Sequence, residues 1–509
     1  MIYVLEPEEM RAADAAAGEI VGRDTLMRNA GERIAEMVRM LAPGGGRIAV
    51  FAGPGDNGGD GFAALASLGD SYERALYADA APKPSAARAA AEKRAREAGI
   101  VPRPLPERDD EAQAAAAGAV VAIDALFGTG ARLPLGERYR AAARALDARR
   151  LNVLAIDIPS GIDAETGASS EAAVRATQTL TLASLKPGLL LAPARGNVGE
   201  LWCAQIGIDD ATLAAHAHTF NALDDDAFLR TIPRRALESD KRSAGAPLVI
   251  AGSRQFPGAA VLCALGAARA GAGYVTIAAP ASAAAALRAH LVEQVVVELD
   301  DEAPVERIVE SLCEIAHRNS AIAIGPGLGL EERIGTIVRE TIARTQLPVV
   351  ADASALFHLG KHLDSLRGKR IVLTPHAGEF ARLSGKGTLK DGERVARLRE
   401  FVDRTGITTL LKGLDTILYD GETTFINTTG TNALATAGTG DVLTGIIGTL
   451  LSQGLSPFHA ARAGAYWHGL AGKRAAERRR AGVIARDVID ALAGAFPQDA
   501  PRSALRRVF

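Results

Sequence analysis

The 509-residue chain balances 58 Lys and Arg against 60 Asp and Glu, a formal net charge of −2, and is 48% hydrophobic and 23% charged. That balance fits a globular protein of roughly two to four domains and excludes the basic surface of a nucleic-acid binder. Aromatics at 4% and 53 glycines point to close helix–sheet packing and Gly-rich loops.

The segment Met1–Met10 carries Glu6, Glu8 and Glu9 and no apolar run, so it does not read as a signal peptide. The first strand is expected at Arg47–Phe51, followed by Gly53-Pro54-Gly55-Asp56-Asn57-Gly58-Gly59-Asp60-Gly61 and then a helix. Five glycines permit positive φ and close approach of backbone to a ligand. Free N–H groups at the helix start suit an anion. A helical pattern at Ala86–Ala98 and a Pro-rich loop at Val101–Pro106 follow. The strand Ala119–Ile123 ends at Asp124, and Val153–Ile156 ends at Asp157-Ile158-Pro159-Ser160. Alone, each Asp would serve as a turn cap. Together with Asn57 and Ser160 they form an oxygen-rich set suited to a hard cation.

The rhythm of strands and helices stops over 207–245 and restarts with the strand Leu248–Ile250, placing a domain boundary near 215–230. Further strands are expected at Tyr274–Ile277, Ala321–Ile324, Val349–Val350, Ile371–Leu373 and Thr408–Leu411, with a helix at Glu331–Arg344. Continuous apolar strands alternating with helices predict α/β units with parallel sheets covered on both faces. In such sheets ligands sit beyond the carboxyl ends of the strands. Those ends carry Gly325-Pro326-Gly327-Leu328-Gly329, Asp352, Thr374-Pro375-His376-Ala377-Gly378-Glu379 and Lys412-Gly413 with Thr416. Gly438-Thr439-Gly440-Asp441 precedes an apolar helix. Its N–H groups would make an anion hole strengthened by the helix dipole, with Asp441 placed to take a proton from a hydroxyl. The competing reading of Asp441 is a helix cap. Val442–Ala461 contains Gly, Gln, Ser, Pro and His and reads as buried helix, not a membrane span. Cys203, Cys263 and Cys313 are far apart and in no metal spacing, which suits free thiols in a reducing compartment. The expectation is a soluble cytoplasmic protein that binds small molecules, with no nucleic-acid or membrane partner, assembling as a homo-oligomer.

Gly53–Gly61 resembles the GxGNNGGDG signature of the NAD(P)H-hydrate epimerases. Asp124–Gly130, Asp157–Gly161 and Leu26-Met27-Arg28-Asn29-Ala30-Gly31 are similar to that family's other motifs, and the likeness covers most of residues 1–210. Asp56 stands where the pattern has Asn. The resemblance implies K⁺ held by Asn57, Asp124 and Ser160. It implies a hydrated nucleotide contacted by Asp56, Asn57, Gly58, Gly59, Asp60, Gly128, Thr129, Gly130, Ala131, Arg132, Leu133, Pro134 and Asp157, with Asp157 as acid or base.

The stretch from about Asp240 to Ala493 resembles the ribokinase-like superfamily, and within it the ADP/ATP-dependent NAD(P)H-hydrate dehydratases. Gly252-Ser253, Pro257-Gly258-Ala259-Ala260, the GPGLG, the HAGE and the GTGD carry that likeness; Lys241-Arg242 departs from the usual Lys-Gly. By position, Ala259, Gly327, His376 and Asp441 would line the hydrated nicotinamide nucleotide. Lys412, Gly413, Leu414, Asp415, Thr416, Gly438, Thr439 and Gly440 would bind ADP or ATP, with Mg²⁺ accompanying the nucleotide. The implied organisation is a Rossmann-like α/β/α epimerase domain over residues 1–215 and a ribokinase-like α/β dehydratase domain over 225–509. The implied substrates are NADHX and NADPHX, with Asp441 as catalytic base. Two other readings are a small-molecule kinase with a regulatory N-terminal module, and an NAD-dependent dehydrogenase. The second is disfavoured because, although Gly53, Gly55 and Gly58 have the GxGxxG spacing, the sequence predicts no second strand ending at an acidic residue about 20 positions on.

Overall fold

A computed structural model describes every residue except Met1, Arg132, Ala148, Asp391, Arg480 and 499–503. The chain divides into two compact units, Met1–Ala222 with the C-terminal residues up to Phe509, and Leu223–Asp499.

The first unit is built on a sheet ordered Leu505–Arg507, Glu200–Ala204, Gln178–Leu182, Val153–Ile156, Val121–Ala125, Gly46–Ala52, Tyr72–Ala78 and Arg103–Pro104. All neighbours are parallel except the pair formed by Leu505–Arg507 and Glu200–Ala204. Alternation along Gly46–Ala52 explains why both faces are covered. Ile48, Val50 and Ala52 point into one apolar cluster with the helices Pro7–Val21, Arg23–Leu41, Asp56–Ala66 and Ala86–Glu97. Ala49 and Phe51 point into the other, with Asp109–Ala116 and Glu137–Ala145 packed on it. The chain leaves Gly46–Ala52 toward one edge and returns at Val121–Ala125 on the other side. The crevice at this reversal is where an α/β sheet accepts a ligand.

The second unit repeats the logic. Its strands run Val295–Leu299, Thr276–Pro280, Pro247–Ile250, Ala321–Ile324, Val349–Ala351, Ile371–Leu373 and Thr408–Leu411 in parallel, then Ile417–Tyr419 and Thr424–Ile426 antiparallel. Here the order reverses between Pro247–Ile250 and Ala321–Ile324. The helices Pro257–Arg269 and Thr439–Ser452 pack closely because glycines meet backbone. A Cβ on Gly445 would lie 2.0 Å from the Cys263 carbonyl oxygen, and one on Gly266 would lie 2.7 Å from that of Val442. That crossing sets the GTGD helix start against the sheet.

The segment 207–245 is not irregular. It holds the helices Asp210–His216 and Asp225–Thr231 and the short strand Phe220–Asn221. The Pro-rich loop contains the two-residue strand Arg103–Pro104. The last strand also departs from expectation: Leu505–Arg507 lies in the first unit's sheet, whereas the sequence reading ran the second domain to 509. Among the described residues, no helix is long and apolar enough to cross a membrane.

Candidate functional site

The reversal crevice of the first unit is a cavity of about 700 Å³. Asp56, Asn57, Asp60, Gly128, Thr129, Gly130 and Asp157 line it, as do Met10, Asp14 and Lys186. Gly58, Gly59, Ala131, Leu133 and Pro134 are not on the wall, and Arg132 lies outside the described residues. None of the five glycines from Gly53 to Gly61 adopts a positive φ. They supply closeness instead: a Cβ on Gly53 would lie 1.8 Å from the Leu126 carbonyl oxygen, and one on Gly61 would lie 2.9 Å from Ala125 Cβ.

Two buried cations organise this crevice, and neither has a motif of its own. Arg88 donates from its guanidinium to the carbonyls of Gly53 at 2.7 Å, Gly55, and Asp79 at 3.3 Å, fastening the Gly-rich loop from behind. Lys186 is 1% exposed and donates to Asp157 Oδ1 at 2.5 Å, Thr181 Oγ1 at 3.1 Å and the Leu182 carbonyl at 2.9 Å. Asp157 itself adopts φ 65°, a left-handed conformation uncommon for a residue with a side chain. Thr181 Oγ1 and the Leu182 N–H also donate to its Oδ1, while Oδ2 faces Gly128, whose Cβ position would lie only 2.9 Å away. Asp60 is pushed well above the carboxylate range, first by burial and then by the charges of Asp157, Asp56 and Asp14, against Lys186. Asp56 has a ready partner in Ser85, whose hydroxyl donates to it at 2.6 Å.

Asp124 and Ser160 are buried. The Ser160 N–H and hydroxyl each donate to Asp124 at 2.7 Å, and the Leu126 N–H donates at 3.2 Å. Burial nonetheless pushes Asp124 up to about 6, since these bonds lower it only in part. Among the described residues no cationic side chain faces it. Asn57 adds a buried Nδ2 with no hydrogen-bond partner among the described residues. Gly128 would carry its Cβ 3.4 Å from Asn57 Oδ1, and the neighbouring Phe127 N–H donates to Ser160 Oγ at 3.0 Å. One loop thus draws the three oxygen donors together. A buried carboxylate lacking a cation, beside the oxygens of Asn57 and Ser160, is a donor set that fits K⁺.

In the second unit, Asp441 lies in the first turn of Thr439–Ser452, whose N-cap Gly438 adopts φ 87°. Burial pushes Asp441 up to about 7; Asp352 and Glu379 push the same way and Lys412 opposes them. Lys412 Nζ donates to Asp352 Oδ1 at 2.7 Å. Thr444 Oγ1 donates to Asp352 Oδ2 at 2.7 Å and lies 3.0 Å from the Gly440 carbonyl. A Cβ on Gly440 would sit 3.4 Å from Lys412 Nζ. Asp352 therefore ties the end of Thr408–Leu411 to the helix start. Burial pulls Lys412 down, but Asp352, Glu379 and Asp441 outweigh it and hold the ammonium above its usual value.

Gly327 and Ala259 lie side by side, with a Cβ on Gly327 lying 2.9 Å from Ala259 Cβ. The HAGE segment is a capping box: His376 Nδ1 accepts from the Gly378 N–H at 3.0 Å and Glu379 accepts from the His376 N–H at 2.8 Å. Within Lys412–Thr416, the Asp415 carboxylate is buried against Arg394 at 3.1 Å. Thr416 Oγ1 accepts from the Gly413 N–H at 3.2 Å. Those two side chains shape the loop. Thr439 Oγ1 is spent on the carbonyls of Leu434 and Thr436. Among the described residues no group of three His, Cys, Asp or Glu side chains could hold a metal.

A protein of Pyrobaculum aerophilum named bifunctional NAD(P)H-hydrate repair enzyme is 37% identical over 496 residues, covering 95% of this chain and 96% of the relative. The chain belongs to the family of bifunctional NAD(P)H-hydrate repair enzymes. Another repair enzyme of this name, from Methanothermobacter thermautotrophicus, is 34% identical over 505 residues, 96% of this chain and 94% of the relative. The family model described as NAD(P)H-hydrate dehydratase matches residues 247–493, and that described as YjeF-related protein N-terminus matches 23–188. Among solved structures, the ADP/ATP-dependent NAD(P)H-hydrate dehydratase of Bacillus subtilis co-crystallised with ATP/Mg²⁺ is 30% identical. It covers 55% of this chain and 98% of that one, with a TM-score of 0.48.

Proposed function

We propose that this chain restores hydrated NADH and NADPH, the first unit interconverting the R and S epimers and the second dehydrating the S epimer with ADP or ATP. The observation that carries the reading is Asp441, a half-buried carboxyl raised to about 7 in the first turn of an apolar helix, next to Lys412. The hydroxyl on C6 of the hydrated ring is a poor leaving group. Asp441 removes its proton as the terminal phosphoryl group of the nucleotide transfers to that oxygen. The N–H groups of Gly438, Thr439 and Gly440 and the Lys412 ammonium meet the charge that develops. Loss of phosphate from C6 and of a proton from C5 then restores the dihydropyridine.

In the first unit, the crevice takes the nucleotide with its nicotinamide end toward Asp157 and Lys186. Asn57, Asp124 and Ser160 would hold K⁺, which supplies fixed positive charge behind the phosphate-facing loop. Asp157 exchanges the proton of the C6 hydroxyl. The test is incubation of the full chain with a mixture of R and S hydrates, with and without ADP or ATP. Complete return of the dihydropyridine absorbance with release of phosphate is expected. Accumulation of a phosphorylated substrate would make the second site a small-molecule kinase instead.

A further inference from the structure

The first-unit cavity contains a carboxyl that the scheme above leaves idle. Asp14 lies on the helix Pro7–Val21, one turn after Met10, and both line the cavity. The same helix buries Met10, Ala13 and Ala17, so Asp14 is a charged residue set beside the inward stripe. Among the described residues no hydrogen bond or ion pair engages its carboxyl. Its exposed surface looks into the cleft, and burial within that cleft is the largest influence on it. Lys186 and Arg23 pull it down, Asp157 and Asp56 push it up, and the net position is about 6. Asp60 and Arg11 complete the charged groups of the wall. Asp157 differs in kind: Lys186, Thr181 Oγ1 and the Leu182 N–H all donate to its Oδ1, an arrangement that suits a proton acceptor. Of the four carboxyls on this wall, Asp157, held by three donors, and Asp14, held by none, divide naturally into base and acid.

We propose that Asp14 is the general acid of epimerisation, paired with Asp157 as the base; the inference rests on the epimerase reading of this cavity. The hydrated carbon C6 carries a hydroxyl and a bond to the ring nitrogen N1. Asp157 takes the hydroxyl proton, the C6–N1 bond breaks, and C6 becomes an aldehyde. The electron pair of the broken bond stays on N1, which takes the proton of Asp14. Rotation about C5–C6 presents the other face of the aldehyde. N1 then attacks it, Asp14 recovers its proton, and Asp157 returns one to the oxygen. No atom or electron is gained or lost, and water is not expelled, so the reaction does not run on to dehydration.

The test compares the wild-type chain, Asp14→Asn and Asp14→Glu without nucleotide, following R and S hydrates by chromatography after subtraction of spontaneous interconversion. Asp14→Asn should lower kcat by about 10²–10⁴-fold with KM changed by no more than about threefold. Dehydration of the S epimer with ADP should stay unchanged. In the wild type the rate should fall on the alkaline side as Asp14 loses its proton. That limb should vanish in Asp14→Asn and return, with part of the rate, in Asp14→Glu. A near-normal kcat in Asp14→Asn, a change in KM alone, or an alkaline limb that survives the substitution would overturn the assignment. If the wild type itself fails to interconvert the epimers, the epimerase reading and this inference fall together.

Discussion

Asp441→Asn separates a catalytic base from a helix cap by the sign of a stability change. Burial and two like charges raise this carboxyl from 3.8 to about 7. At about 1.4 kcal/mol per tenfold, holding it ionised in the folded state costs roughly 4 kcal/mol. Below pH 4 both folded and unfolded chains keep the proton and the cost disappears. As the pH climbs toward 7 the unfolded chain ionises first, so stability drains away through that window. At pH 5 only about 1.5 kcal/mol of the cost is felt. Asparagine cannot ionise, so the variant should be more stable than the wild type at pH 8 and much less so at pH 5. Taking half of the full figure, for solvent relaxation around a partly exposed group, leaves ~2 kcal/mol, or roughly 4–8 °C in the melting temperature. Scanning calorimetry of the full chain measures it on the transition that nucleotide shifts upward. Dehydration should meanwhile fall by about 10²–10⁴-fold. An N-terminal cap behaves oppositely: its loss lowers stability by about 0.3–1 kcal/mol at pH 8. A destabilised Asp441→Asn with near-normal turnover would refute the reasoning.

Three other outcomes are expected. Asn57→Ala and Asp124→Ala should each slow epimerisation and flatten its response to K⁺ while sparing dehydration; an unaltered K⁺ titration would discard the cation site. Arg88→Met should strip the hydrogen bonds from three carbonyls behind the Gly-rich loop and lower the stability of the first unit by about 3 kcal/mol or more, at ~1–3 kcal/mol per buried group left unpaired; thermal unfolding reads this directly, and a loss under about 1 kcal/mol would mean the loop holds itself. Lys412→Met should raise KM for ADP or ATP. It also removes the one cation that pulls Asp441 down, so the acid limb of the dehydration rate should move to higher pH; a limb that stays or moves lower would contradict that placement.

The strand ends carrying Asp124, Asp157, Asp352, Lys412 and the GTGD were legible because apolar runs stop there at residues with specific chemistry. Strands were missed where polar residues interrupt the run. Glu73 and Arg74 break Tyr72–Ala78, and Gln178–Leu182 carries Thr179 and Thr181, both buried and satisfied locally, Thr179 by the Val198 carbonyl at 2.7 Å. The two short helices of 207–245 did leave a trace: Asp209 and Asp224 are N-caps, accepting from Thr212 and Ala227. Lys186 and Arg88 left none. Lys186-Pro187-Gly188 looks like a surface turn, and Arg88 is one arginine among several in Ala86–Glu97. Their roles follow from burial, which only the assembled sheet creates. Asp415 taught the reverse, since its place in a nucleotide loop did not reveal that its side chain turns inward to Arg394.

The closing strand has a consequence for biosynthesis. Leu505–Arg507 pairs with Glu200–Ala204, Arg507 meets Glu200 at 2.7 Å, and the N–H groups of Leu201 and Gln205 donate to the carbonyls of Phe509 and Ala504. About three hundred residues must therefore leave the ribosome between the two halves of that ladder, at ~5–20 residues per second. For that interval the nascent first unit's sheet ends at Glu200–Ala204, a strand paired on one side with Gln178–Leu182 and open on the other; it carries the apolar Leu201 and Trp202, and its open edge is a template for adventitious pairing. Translation speed across that interval thus becomes a determinant of yield. A stop codon placed before Leu505 should harm the unit encoded first.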